Sequence, residues 1–165
     1  MPRFDAESLM ANVKSVLVTN LNLKLAAIEA EKIAAGFPVT NLKSVDPDKG
    51  YFEQTWSDEI QNIDPAIFYG IEEISAEGIG PATKEAFKIF VEIILIDSGQ
   101  DSLTKNRIHR YARAIKEVFE ENYDQVSSFG NKIKIETIRP TSLKLDLDTS
   151  ETLKVGGVSI TTAIA

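Results

Sequence analysis

The stretch EAFKIFVEIILID, residues 85–97, decides the fold. β-Branched and aromatic residues run long enough there for a central strand, and Phe87, Ile89, Val91, Ile93 and Leu95 share one face at period 2. That row is apolar throughout and requires a cover. The opposite row (Ala86, Lys88, Phe90, Glu92, Ile94, Ile96) is mixed, which fits a strand with one face buried and the other partly covered, not a parallel-sheet strand buried on both. With only 13 residues, and with Lys88 and Glu92 among them, the run is too short and too charged for a membrane helix.

Downstream, Gly99-Gln100-Asp101-Ser102 ends the strand and opens a helix, with Asp101 or Ser102 as its N-cap. On a helical wheel with Arg107 at zero, Ile108, Tyr111, Ala112, Ile115, Val118 and Phe119 occupy an arc from about 20° to 140°. That arc is the natural cover for the Phe87 to Leu95 row. Arg107, Arg110, Arg113 and Lys116 take the remaining side, and with Lys105 they form a basic stripe expected to be a solvated face or one paired with a neighbouring subunit's acids. Upstream, AIFYGIEEI at residues 66–74 reads as a second strand, and Gly78, Gly80 and Pro81 mark a turn, so the two strands form an antiparallel hairpin with a long tip.

Residues 5–35 read as helix, with Leu9, Val13, Val16, Leu17, Leu21, Leu25, Ile28 and Ile33 on one stripe. The weak helix formers Asn20 and Asn22, with Thr19, predict a bend or two consecutive helices. Gly36 followed by Phe37-Pro38 predicts the stop. Residues 39–65 lack periodicity and read as a long acidic loop carrying Tyr51, Phe52 and Trp56; Trp56 is either a partner contact or an anchor folded onto the core. Residues 131–147 are strand-like in two runs with Pro140 between them as a bulge, kink or turn, and residues 153–164 read as a final strand. The expectation is a single α+β domain over residues 1–165, with about four mainly antiparallel strands and two main helices on one face, in the order α-β-β-α-β-β.

Composition narrows the chemistry. The chain has no cysteine, which removes disulfides, thiolate nucleophiles and Cys-ligated metals, and its start reads as no signal peptide, so the protein is expected to be intracellular at the point of synthesis. Net charge is −7, and residues 46–77 hold nine acids against Lys49 alone, a segment that repels phosphate. The single histidine, His109, falls at about 200° on the polar side of its helix and reads as a surface residue. Asp46-x-Asp48 with Gly50 starts like a calcium loop, but Ser57 stands where the twelve-residue loop needs its bidentate Glu. Gly78-x-Gly80 lacks a third glycine and a following helix, so it is a hairpin tip and not a phosphate cradle. No catalytic residues, cofactor or metal site are expected, and an enzyme is the least supported class.

Residues 110–115, RYARAI, follow a strand ending in Asp and a short turn, and they resemble the second helix of a tail-completion family of tailed bacteriophages. The segment Leu23-x-Leu25-Ala26-Ala27-Ile28-Glu29-Ala30-Glu31 is similar to that family's first helix, Asp64-Pro65-Ala66-Ile67 to the lead-in of its first strand, and Val158-Ser-Ile-Thr-Thr-Ala to its final strand. The resemblance implies a tail terminator or neck protein of the virion: a homo-oligomer, usually a hexameric ring, on the head-proximal end of the tail tube. Such a ring stops tube growth, docks the tail to the head connector and lets genome DNA pass without sequence-specific binding. A head-side connector or stopper subunit stays open as an alternative, as does a small-ligand-binding α+β regulator. A ring needs two unlike exposed surfaces. On sequence grounds these are the acidic segment 46–77 and the stripe of Arg107, Arg110, Arg113 and Lys116, with Tyr51, Phe52 and Trp56 supplying apolar contact.

Overall fold

The computed structural model describes residues 6–53, 63–77, 84–97, 101–126, 133–142 and 152–164. The order is α1 (Ala6–Ala34), β1 (Tyr51–Glu53), β2 (Ala66–Glu77), β3 (Lys84–Asp97), α2 (Asp101–Glu121), α3 (Tyr123–Val126), β4 (Ile133–Ser142) and β5 (Thr152–Ile164). The class is α+β. The strands form a five-stranded sheet in the order β1-β2-β3-β5-β4. The expected count of four left out β1, a three-residue strand parallel to β2; the other neighbours are antiparallel. Three residues are too few to show a period, which is why β1 was hidden in the aperiodic loop.

The row Phe87, Ile89, Val91, Ile93 and Leu95 of β3 is buried, none of the five being more than 4% exposed. It joins one cluster with Ile67 and Tyr69 of β2, the apolar stripe of α1, and Ile108, Tyr111, Ile115 and Val118 of α2. Both long helices therefore cover the same sheet face, and each fully buried aliphatic side chain in this layer contributes about 1.5–3 kcal/mol. β3 is paired on both sides, with β2 and with β5. The C-terminal strand is thus internal to the sheet. β4 lies at an edge and runs through Pro140, whose register partner is Gly156; an edge strand tolerates a residue without an N–H, so no turn falls at Pro140, and the irregularity in the pairing of β4 lies instead between Ile135 and Thr137. The second strand-like run, residues 143–147, lies outside the described residues, as do the hairpin tip 78–83 and residues 98–100; Asp101 and Ser102, expected as the N-cap of α2, are already helical, which moves the cap ahead of them.

α1 is continuous through residues 19–22, contrary to the expected bend. Each asparagine there has a bond that removes the reason to break: Asn20 Nδ2 donates to Val16 O at 2.9 Å, one turn back. Asn22 clamps the backbone of Val45, donating to its carbonyl at 2.9 Å and accepting its N–H at 2.8 Å. The helix ends as expected at Gly36, with φ of 81°. Phe37 N–H donates to Lys32 O and Gly36 N–H to Ile33 O, both at 3.0 Å, the paired bonds of a Schellman motif. Ile33, placed on the apolar stripe by spacing, is instead 45% exposed.

Candidate functional site

The basic residues of α2 do not form a free stripe. Arg110 is 5% exposed. Its Nη1 donates to Glu29 Oε2 of α1 and to Thr40 Oγ1 at 3.1 Å, and its Nη2 donates to Pro38 O at 2.9 Å. Thr40 is held at every polar atom. Its N–H donates to Glu29 Oε1 at 2.8 Å, its hydroxyl to Glu29 Oε2 at 2.9 Å, and its carbonyl accepts from Arg107 Nε. Burial pushes the Glu29 carboxyl up, but the Thr40 N–H, Arg110 and the Thr40 hydroxyl outweigh it, leaving the pKa below the ordinary 4.5.

Arg113 grips α1 one turn further on, with Nη1 and Nη2 on the two oxygens of Glu31 at 2.8 and 2.7 Å and Nε on Glu117 at 2.6 Å. Lys116 pairs with Glu120 at 3.5 Å, an exposed contact. Among the described residues, the acids that answer the stripe thus come from α1 and from α2 itself, and none comes from residues 46–53 or 63–77. Ala114, fully buried, lies on the same side of α2 as Arg110. On the wheel Arg110 and Ala114 fall at about 300° and 340°, outside the apolar arc. They are buried because α1 lies alongside α2, a neighbour no single-helix pattern reveals. Glu29 directly after Ile28, an acid bordering the apolar stripe, was the signal in the sequence for a buried ion pair.

Of the remaining residues singled out, Tyr51 is in the core at 8% exposure, with its hydroxyl 3.5 Å from Leu17 O and burial pushing its phenol up to about 12. Phe52 is half-buried and stacks on Phe68 with ring centroids 5.5 Å apart. His109 and Lys105 are exposed, and Trp56 lies outside the described residues. Asp46 closes its own turn, its Oδ1 accepting the N–H groups of Asp48 at 2.8 Å and Lys49 at 3.1 Å. No group of three metal-ligating side chains occurs among the described residues.

Two surface features remain. A cleft lined by Asn41, Lys43, Asp64, Ile96, Arg107 and Tyr111 encloses about 20 Å³, room for a water and far below the roughly 300–1,000 Å³ of ligand pockets. Its walls are tied together by the Lys43–Asp64 ion pair at 2.7 Å and by Tyr111 Oη donating to Lys43 O at 2.6 Å. It is a polar seam, not a metabolite site. The second feature is the sheet face away from the helices, where Ala66, Phe68 and Ile94 form a separate apolar cluster that is itself buried, with Phe52, Ile63, Phe90 and Ile96 packed against it and partly exposed.

No protein-family model matches the chain, and no curated protein matches it.

Proposed function

We propose that this protein is a structural ring subunit of a tailed-bacteriophage virion, a tail terminator at the head-proximal end of the tail tube. One observation carries the reading. Two of the four segments on which the family resemblance rests, residues 23–31 and 110–115, are joined to each other through Arg110 with Glu29 and Arg113 with Glu31. That part of the resemblance therefore falls on one packed helix pair and not on two unrelated stretches. In this role the subunit does no covalent chemistry. Copies close into a ring, usually a hexamer, whose one rim seats on the last ring of tail tube protein and denies the next subunit its site. The other rim presents a surface to the head-connector or neck proteins. Genome DNA passes through the lumen, and the subunit belongs to the tail or neck of the virion after assembly in the host cytoplasm.

Electron microscopy of the purified protein, alone and mixed with polymerising tail tube protein, tests the proposal. The expected result is rings, and tubes capped at one end and halted in length. Tubes that grow past the added protein and carry no cap would overturn it.

A further inference from the structure

The sheet ends in two unlike edges. On one side β1 lies beside β2 only at Ile67, Phe68 and Tyr69, so from Glu72 to Glu77 no strand among the described residues stands outside β2. Ile74 shows the consequence: its register partner is the buried Phe87, which puts it on the helix-facing row, yet it is 56% exposed. Glu72 and Glu73 beside it are exposed as well. On the other side, β4 has β5 as its neighbour and no strand among the described residues beyond it. An open edge is a row of backbone N–H and C=O groups ready to pair with another strand.

Charge distinguishes the two edges. Glu73 and Glu77 of β2 are register partners of Lys88 and Lys84, on the outer row of the sheet. Followed through β5, Lys134, Thr137 and Arg139 of β4 fall on that same row, in line with Lys88, Phe90 and Glu92 of β3, while Ile135 and Ile138 are in line with the buried Ile89 and Val91. Glu136 falls at the shift between Ile135 and Thr137 and has no register partner on β5. Edges of the same kind therefore repel: two β2 edges paired antiparallel set Glu73 against Glu77, and two β4 edges set Lys134 against Arg139. Edges of opposite kind attract. Direction agrees, because three successive antiparallel pairings make β4 run opposite to β2, and rotation about an axis along the strands brings β4 of one copy antiparallel to β2 of the next.

We propose that copies of this chain join edge to edge, β4 of one antiparallel to residues 73–77 of the next. The register sets Lys134 opposite Glu77, Thr137 opposite Ser75 and Arg139 opposite Glu73 on the outer row, with Ile135 opposite Ala76 and Ile138 opposite the exposed Ile74 on the helix-facing row. The pairing stops at Pro140, which has no N–H to donate. Because the two edges differ, the contact is heterologous and repeats head to tail until it closes. It identifies the subunit interface of the ring proposed above and rests on that reading.

The absence of cysteine makes the register directly testable. Within one chain β3 and β5 separate β2 from β4, roughly 14 Å at the usual strand spacing and beyond the reach of a disulfide, so oxidised Ser75→Cys/Thr137→Cys can bridge only between copies. A series of covalent oligomers is expected on a non-reducing gel, and none from Ser75→Cys/Thr141→Cys, which is out of register. In sedimentation velocity at physiological salt, Lys134→Glu/Arg139→Glu and Glu73→Lys/Glu77→Lys should each associate at least about tenfold more weakly than wild type. An equimolar mixture of the two should regain association, since each carries the edge the other needs; that recovery also shows that both are folded. Wild-type rings that cap tubes, together with a Ser75→Cys/Thr137→Cys protein that stays monomeric on oxidation, overturn this interface and leave the ring reading standing. A wild-type protein that stays monomeric and caps no tubes removes both.

Discussion

Arg110→Met is the most informative single change, because the neighbouring bases of α2 provide its control. Methionine replaces the apolar stem and removes the guanidinium, leaving the Glu29 carboxylate, whose side chain is 15% exposed, without its cation. Breaking a buried pair from one side costs about 3–5 kcal/mol. Glu29 retains its bonds from the Thr40 N–H and hydroxyl, which places the loss near the lower end, about 3 kcal/mol. For a chain of this length each kcal/mol moves Tm by roughly 2–4 °C, so a fall of about 6–12 °C is expected in thermal melts at pH 7. Lys116→Met, which breaks only the exposed pair with Glu120, should shift Tm by no more than about 2 °C. Glu29→Gln/Arg110→Met removes both charges while the amide oxygen can still accept from Thr40, and should recover part of the loss, since it leaves no unpaired buried charge. An Arg110→Met protein that melts within about 2 °C of wild type, or a double variant whose losses simply add, would refute the claim that this pair is a buried tertiary lock.

The same pair sets a pH dependence. The Glu29 carboxyl is held below 4.5 in the folded state, so its contribution is present above that value and is lost as pH falls through the folded pKa; Tm of wild type should drop below about pH 4.5 more steeply than Tm of Glu29→Gln. Gly50→Ala places a Cβ 2.5 Å from Val45 Cγ1 and 2.7 Å from the Asp46 carbonyl oxygen, a clash with backbone that should cost about 1–3 kcal/mol in urea unfolding. Val91→Asp puts an unpaired charge at a fully buried position of β3 and should abolish soluble expression; a folded variant with unchanged Tm would remove β3 from the centre of the core. Replacing Arg107, Arg110 and Arg113 together by Glu should unfold the subunit, read as loss of the helical circular dichroism signal, rather than release a folded monomer.

What the sequence determined by itself is the set of periodic elements and the faces they bury. The β3 row from Phe87 to Leu95, the α2 arc around Ile108, Tyr111 and Ile115, and the stop at Gly36 were legible because each depends on residues adjacent along one element: period 2, period 3.6, and a left-handed turn that glycine adopts freely. The continuity of α1 was not, because propensity weighs Asn20 and Asn22 alone, whereas Asn22 is satisfied by Val45, 23 residues away. Nor was the fate of the basic residues. A wheel assigns Arg110 to the polar side of α2 by its angle, and only the approach of α1, with Glu29 81 residues away in the chain, turns that side into an interior. The exposed surface was inverted by the same cause. Arg107 and Arg110, which looked free, are spent holding Pro38 and Thr40, and among the side chains left in water are the apolar Phe37 and Val39 between them, because charges can be satisfied by a neighbour across the fold while a rigid turn leaves its own side chains no core to enter.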